Sequence, residues 1–417
     1  MKIDHLYKLI GGRKIVTDTR KIIDDSIFFA LKGANFNGNE FAEEALKNGV
    51  ALAVIDEIKY KISDKTIFVK DVLTCLQKLA TYHRQQLKIP IIALTGSNGK
   101  TTTKELIKVV LLQKFKVCAT VGNFNNHIGV PLTLLSMTKN TDIGIVEMGA
   151  NHLGEIAFLC QLAQPNFGYI TNFGKAHLEG FGSIEGVIKA KSELYNYLKE
   201  TKGYAFVNTD DPIQKEQTRG LQQFCFDADE IKLLSASPFV EIAYNKALIK
   251  SHLIGNYNYK NIAAAIAVGA HFKIETNKIK EAIESYKPTN NRSQIIKKGT
   301  LQVILDAYNA NPTSMQLALE NFKQLTTKPK FLVLGDMFEL GKTSQEEHQV
   351  VIKILEKMTF EKAFVIGENF HKTKINNKNI QKFKSIEDFK TDYKLPKKGI
   401  VLVKASRGMA LERLLDL

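Results

Sequence analysis

Three observations predict an α/β fold of three domains. Short apolar runs alternate with helically spaced segments along most of the chain. A glycine-rich turn falls directly between one such run and one such helical segment. And 417 residues exceed what one core usually holds, at about 100–200 residues per domain. With 44% hydrophobic and 24% charged residues and no Pro- or Gly-rich tract, the composition is that of a folded protein.

The first unit, residues 1–86, carries short apolar strands at Ser26–Leu31 and Leu52–Ile55 and helical spacing over Phe41–Asn48. The polar segment Thr81–Lys88, just before Pro90, reads as a linker. A second unit, residues 87–289, opens with Ile91-Ile-Ala-Leu94, an apolar run suited to a buried parallel strand. The glycine-rich turn and a helical segment over Thr102–Leu112 follow. Strands recur at Ile143–Val146, Tyr169–Ile170 and Ala205–Val207 with helical patterns between them, as in a mainly parallel sheet. The alanine-rich Asn261–Ala270 is too short to span a membrane and reads as a buried helix. Around Tyr286–Asn291 the composition turns to Pro and Asn, which marks the second boundary. Residues 290–417, with strands at Val303–Leu305, Phe331–Leu334, Ala363–Ile366 and Ile400–Val403, are expected to form a Rossmann-like unit.

Charge and composition narrow the function classes. The net charge of +15 arises from 58 Lys+Arg against 43 Asp+Glu. The excess is mostly Lys spread singly, without the basic stripe interleaved with aromatics that a nucleic-acid groove needs, so no nucleic-acid partner is expected. Polyanionic small substrates remain. The segment Met1–Ile10 lacks the apolar core of a secretory signal, and no stretch reaches the roughly 18 apolar residues of a membrane span. Cys75, Cys118, Cys160 and Cys225 form no CxxC pair and have apolar sequence neighbours, as reduced core cysteines do. A monomer in a reducing cytoplasm is expected.

The strongest chemical signal is Thr95-Gly-Ser-Asn-Gly-Lys-Thr-Thr-Thr103, between a strand and a helix. Such a turn cradles phosphate. The backbone N–H groups of Gly96–Thr102 converge on phosphate oxygens, Lys100 neutralises charge, and the Thr101 hydroxyl can ligate Mg²⁺. The loop is two residues shorter than the usual GxxxxGK[ST] spacing. Glu147 ends the run Ile143-Gly-Ile-Val-Glu, at a strand's carboxyl end, where a carboxylate can hold a metal ion or merely be solvated. The segment Thr171-Asn-Phe-Gly-Lys-Ala-His-Leu-Glu179 places His177 in a loop at the same edge, and Ile188-Lys-Ala-Lys-Ser-Glu-Leu194 follows as a helix. Lys189 and Lys191 cannot share one face of it, so one of them is surface charge.

Taken in order, T-G-x-x-G-K-T-T, E-M-G-A, N-F-G-x-A-H-L-E and A-K-x-E-L resemble the Mur ligase family over essentially the whole chain. The short phosphate loop is usual there. The resemblance implies an enzyme that uses ATP and Mg²⁺, with Lys100, Glu147, His177 and Lys191 catalytic. Metal ligation would come from Thr101, Glu147, His177 and, carbamylated by CO₂, Lys191. Thr17-Asp-Thr-Arg20 and Ile27-Phe-Phe-Ala-Leu-Lys-Gly33 resemble the family's UDP-sugar-binding segments, which implies Thr19 and Arg20 as substrate contacts. Gly122-Asn-Phe-Asn-Asn-His-Ile-Gly-Val-Pro131 resembles its muramoyl-side loop and implies Asn125 and Asn126. Adenine and ribose contacts are implied at Asn258, Arg292, Asp306, Tyr308 and Asn309, with Tyr257 standing where His is common. Lys404-Ala-Ser-Arg-Gly408 resembles the K-x-S-R segment beside the incoming amine, implying Ser406 and Arg407.

Asp306-Ala-Tyr-Asn-Ala-Asn-Pro-Thr-Ser-Met315 and Leu334-Gly-Asp-Met-Phe-Glu-Leu-Gly341 are similar to hallmarks of the branch that adds D-alanyl-D-alanine to a UDP-N-acetylmuramoyl-tripeptide. The competing readings are a sister ligase adding one amino acid, a catalytically silent nucleotide-binding scaffold and a nucleic-acid-associated ATPase.

Overall fold

The computed structural model describes residues 2–289 and 291–415. Asn290, where the third unit was expected to begin, lies outside them. Four strands, Ile15–Val16, Ile27–Phe29, Leu52–Ile55 and Thr66–Phe68, pair in parallel in the first sheet. The helix Val72–Leu87 packs on it, capped by Asp71, whose carboxylate accepts from Thr74 N at 2.7 Å.

The central sheet has six parallel strands. Its order is Gln222–Phe226, Tyr204–Asn208, Phe167–Ile170, Ile91–Thr95, Ile143–Glu147, Val117–Ala119. Ile91–Thr95 is buried on both faces, as its unbroken apolar run foretold, and two apolar clusters cover the sheet from either side. Register decides what meets at its edge: Leu94 pairs with Glu147 and Thr95 with Ile170. The glycine-rich turn, Glu147 and the segment after Ile170 therefore emerge side by side at the carboxyl ends, where α/β sheets bind ligands.

The last sheet also has six strands: Gln294–Lys298, Thr300–Asp306, Lys398–Lys404, Lys330–Gly335, Lys362–Ile366 and Ile380–Phe383. All neighbours are parallel except the first pair, which is antiparallel. Helix Pro312–Gln324 follows a capping box of Asn311 and Ser314, with Pro at its start.

The structure departs from the sequence reading at four places. Thr81–Leu87 is no linker but the last part of helix Val72–Leu87. Its polar Arg84 is buried, donating to Ala163 O at 3.0 Å and to Asn166 Oδ1 at 2.9 Å, which ties the first unit to the central sheet. An antiparallel three-stranded sheet, Ile231–Ser235, Phe239–Tyr244 and Ala247–Ile254, was not foreseen. Two further strands flank the four expected in the last unit. Of the cysteines only Cys160 is buried, and Cys225 is exposed.

Candidate active site

Two glycines make the turn after Ile91–Thr95 possible. A Cβ on Gly96, whose φ is +137°, would stand 2.0 Å from Thr171 Oγ1. One on Gly99, at φ +81°, would stand 2.5 Å from Asn261 Oδ1. The loop is thus clamped between the Thr171–Asn172 segment and helix Tyr257–His271. Asn98 O accepts from Thr171 Oγ1 at 2.6 Å, and Ser97 Oγ donates to Gly174 O at 2.8 Å. Lys100 Nζ folds back to donate to Gly96 O at 2.7 Å. Burial of this ammonium lowers its pKa, a pull that Glu147 opposes.

Glu147 is buried, and both its oxygens are held. Oε2 accepts from Thr101 Oγ1 at 2.8 Å and Oε1 from Asn125 Nδ2 at 2.9 Å. A hydroxyl and a carboxylate side by side at a phosphate loop are the hard oxygen donors that Mg²⁺ takes, with water and phosphate oxygens completing its shell. Thr101 and Glu147 fit that ion. Among the described residues no group of three or more His, Cys, Asp or Glu is placed to hold a metal.

His177, at a left-handed φ of 52°, faces another unit. Its Nδ1 lies 2.6 Å from Oε2 of Glu339, and this contact holds the Glu339 carboxyl below its usual range. Lys191 lies behind the wall of the site and is fully buried, while Lys189 is exposed. Lys191 Nζ donates to Ala150 O at 3.2 Å and stands 5.0 Å from the Phe181 ring centre. Desolvation first, and the charge of Lys100 second, bring its pKa down to about 7.

These groups line one cleft of about 1600 Å³, which Ser97–Thr102, Asn125, Asn126, Glu147, His177, Asn258, Arg292, Asp306, Tyr308 and Asn309 share. Arg292 stacks 3.6 Å over the Tyr308 ring. Asn258 is buried, donating to Ile254 O at 2.8 Å and accepting from Asn261 Nδ2 at 2.8 Å. Asp306 Oδ2 pairs with Lys404 Nζ at 2.5 Å, and Asn309 Oδ1 accepts from Ala310 N at 2.9 Å. Asn126 Oδ1 accepts from Gly129 N at 2.9 Å.

Four other expected residues do not line this cleft, although Arg407 comes within 5.8 Å of the Tyr308 ring at its edge. Ser406 is buried and engaged by the protein, its Oγ accepting from Phe338 N at 2.9 Å, so in this structure it shapes a loop instead of facing the cleft. Arg407 is exposed and pairs with Glu412 at 3.2 Å. Thr19 and Arg20 lie outside the cleft, with Arg20 spent on Asp18 at 2.8 Å.

The sequence reading gave no role to several partners on which this geometry depends: Thr120, Asn172, Asn261, Asn311, Glu339, Glu347 and Lys404. Thr120 Oγ1 accepts from Glu147 N at 3.0 Å, and Asn261 Oδ1 accepts from Thr103 Oγ1 at 3.1 Å. Asn311 Nδ2 donates to Asn98 Oδ1 at 2.8 Å, and Lys175 Nζ pairs with Glu347 at 2.8 Å. Asn172, Asn311, Glu339 and Lys404 stand inside the recognised motifs, which was their only signal.

Residues 94–269 match the Mur ligase middle domain, and residues 291–407 match the Mur ligase glutamate ligase domain. A UDP-N-acetylmuramoyl-tripeptide–D-alanyl-D-alanine ligase of Bacillus subtilis is 36% identical, the match covering 96% of this chain and 92% of that protein. The chain belongs to the Mur ligase family. An Escherichia coli Mur ligase of the same name is 34% identical over 86% of this chain and 82% of its own length. Among solved Mur ligases, MurF from Acinetobacter baumannii superposes with a TM-score of 0.85 at 29% identity, covering 100% of this chain and 98% of that one. MurF from Thermotoga maritima, in complex with ADP, gives 0.83 at 30% identity over 97% of this chain and 96% of its own.

Proposed function

We propose that this Mur ligase joins D-alanyl-D-alanine to UDP-N-acetylmuramoyl-tripeptide at the expense of ATP, giving the UDP-muramoyl pentapeptide of peptidoglycan synthesis. The chain is an ATP-dependent ligase that forms a C–N bond. One observation carries the choice of substrate: the two motifs of the D-alanyl-D-alanine-adding branch reach the phosphate-loop edge, Asn311 touching Asn98 and Glu339 touching His177. Full-length likeness to ligases of that name supports it.

In this reading the γ-phosphoryl group passes to the tripeptide's terminal carboxylate. The dipeptide amine attacks the resulting acyl phosphate at carbon, and phosphate leaves. Positioning and charge neutralisation are the main requirements of such a transfer. The N–H groups of Gly96–Thr102 and the Lys100 ammonium receive the phosphates, and Arg292, held flat on Tyr308, adds a second cation at the cleft. Thr101 and Glu147 would hold Mg²⁺, which draws negative charge from the phosphoryl oxygens. Lys191 has a sizeable neutral fraction near pH 7, the form in which an amine takes up CO₂ as a carbamate. His177 is oriented by Glu339. Thr19, Arg20, Asn125 and Asn126 are assigned to the UDP-muramoyl substrate, Asn258, Asp306, Tyr308 and Asn309 to the nucleoside, and Arg407 to the dipeptide carboxylate.

In chain order, the first unit is assigned to the UDP-muramoyl substrate, the central one to ATP, and the third to the amine together with part of the nucleotide. Among the described residues no helix is long and apolar enough to cross a membrane. We assign the enzyme to the cytoplasm, as a monomer.

The test is phosphate release from ATP with UDP-muramoyl tripeptide, comparing D-alanyl-D-alanine with D-glutamate, L-lysine and diaminopimelate. Turnover with the dipeptide and a product of the ligated mass is expected. Turnover with a single amino acid would keep the family and overturn the branch, and none with any amine would favour a silent scaffold. Nucleotide is expected to compact the protein in small-angle scattering, and unchanged dimensions would count against closure.

A further inference from the structure

We propose that Asn311 is a positioning residue for the phosphate loop, coupling the seating of the third unit to nucleotide binding. The inference rests on the reading of Gly96–Thr102 as the ATP-phosphate site. Three hydrogen bonds fix the backbone of Asn98, all from the central unit. Its oxygen accepts from Thr171 Oγ1 at 2.6 Å and Asn172 Nδ2 at 2.8 Å, and its N–H donates to Asn172 Oδ1 at 3.1 Å. None of them needs the third unit.

The side chain of Asn98 is treated differently. Among the described residues its single hydrogen-bond partner is Nδ2 of Asn311, at 2.8 Å and 213 residues away. Its own Nδ2 is buried with no partner among the described residues, wedged so that a Cβ on Gly174 would lie 3.1 Å from it and 3.1 Å from the Thr313 side chain. A buried amide with one end satisfied and the other dry is costly, and it persists only where the surroundings hold it. When the third unit leaves, water reaches both ends of the Asn98 amide and the loop loses its outer brace.

Asn311 is aimed independently of the loop. Its Oδ1 accepts from Ser314 N at 2.9 Å as the helix cap, and Ser314 Oγ accepts from Asn311 N at 3.0 Å, which leaves Nδ2 pointing across the seam. Two residues on, Thr313 Oγ1 accepts from Lys175 N at 2.9 Å, so one helix start contacts the loop and the segment behind it. Such a link is reciprocal: a nucleotide that stabilises the braced loop must also stabilise the seated third unit.

The substitution Asn311→Ser keeps a good cap and removes the amide donor. In the full reaction we expect KM for ATP to rise about fivefold to tenfold, the scale of one lost hydrogen bond. The melting temperature should hold, and scattering should show compaction only at higher nucleotide concentration. A purely structural loss would instead lower kcat through the active fraction and leave KM in place. Asn98→Ala should act similarly, and the double variant should be no worse than either single one. Multiplying effects, or an unchanged KM for ATP in Asn311→Ser, would overturn the coupling. Direct titration of the unsubstituted enzyme with a non-hydrolysable ATP analogue separates the two levels: no binding there would overturn the ATP-site reading and the coupling with it.

Discussion

Glu147 and Arg20 were both expected to meet ligand, and the protein holds them in opposite ways. Glu147 is 1% exposed, with a hydrogen bond on each oxygen from residues far away in sequence. The Arg20 side chain is 86% exposed, and its partner is Asp18, two residues back. A buried charge must be satisfied by the fold before any ligand arrives, so the central site is preorganised. An exposed, locally paired guanidinium can exchange its partner for a ligand at little cost. Substitutions at the central edge should therefore strike turnover, and those in the first unit should strike binding alone.

The largest effect is expected at Lys100. Lys100→Ala removes the one side-chain cation of the phosphate loop, and phosphate release should fall on the order of 10³-fold. Since burial disfavours that ammonium, the variant should melt no lower than the parent by calorimetry. A variant that unfolds early would mean Lys100 belongs to the scaffold, which would dissolve the contrast.

Glu147→Gln sharpens it. An amide can still meet Thr101 and Asn125 but lacks the charge that suits a divalent cation. Turnover should drop about 100-fold, by analogy with the loss of one electrostatic group, and half-maximal rate should need more Mg²⁺. An unchanged Mg²⁺ dependence would place the ion elsewhere.

The same contrast explains what could be read in advance. The strand at Ile91–Thr95, its turn and its helix were legible because an apolar run, glycines and a Lys-Thr pair are local signals. The strands Phe239–Tyr244 and Ala247–Ile254 were missed although buried positions alternate with less buried ones, because Glu241 in the first and Lys250-Ser-His252 in the second interrupt the apolar runs. Gln294–Lys298 is a polar edge strand beside the boundary, with little to distinguish it from a connector. Thr81–Leu87 misled because Arg84 finds its partners only in tertiary structure. In the site, motif residues were visible, but Asn261, Asn311 and Glu339 acquire their roles through contacts that no local pattern encodes. Ser406 shows the reverse: its hydroxyl, in a ligand motif, also braces a loop through Phe338 N, a contact that the motif does not announce.

Lys191 tests whether burial at the central edge serves chemistry or stability. Its folded pKa of about 7 lies below the ordinary lysine value of 10.5, so between those values the unfolded chain binds a proton that the folded one lacks. Stability then rises with pH from about 7 to 10.5, and below 7 it carries the full cost of burying the cation. Lys191→Met should thus raise the melting temperature, more at pH 6.5 than at pH 9, while turnover falls at least tenfold. Enzyme freed of CO₂ should regain activity faster at pH 8 than at pH 6 when dissolved CO₂ is held at the same concentration, since only the neutral amine reacts. No stabilisation in Lys191→Met would show that the burial is not costly.

The smallest effect belongs to Arg20. With its side chain in solvent and its partner local, Arg20→Ala should leave melting temperature, kcat and KM for ATP unchanged. KM for the UDP-linked substrate alone should rise, about tenfold if the guanidinium makes one charge-assisted bond to it. A fall in kcat would mean that the first unit reaches the reacting groups, and the division between a preorganised centre and a waiting periphery would fail at its far end.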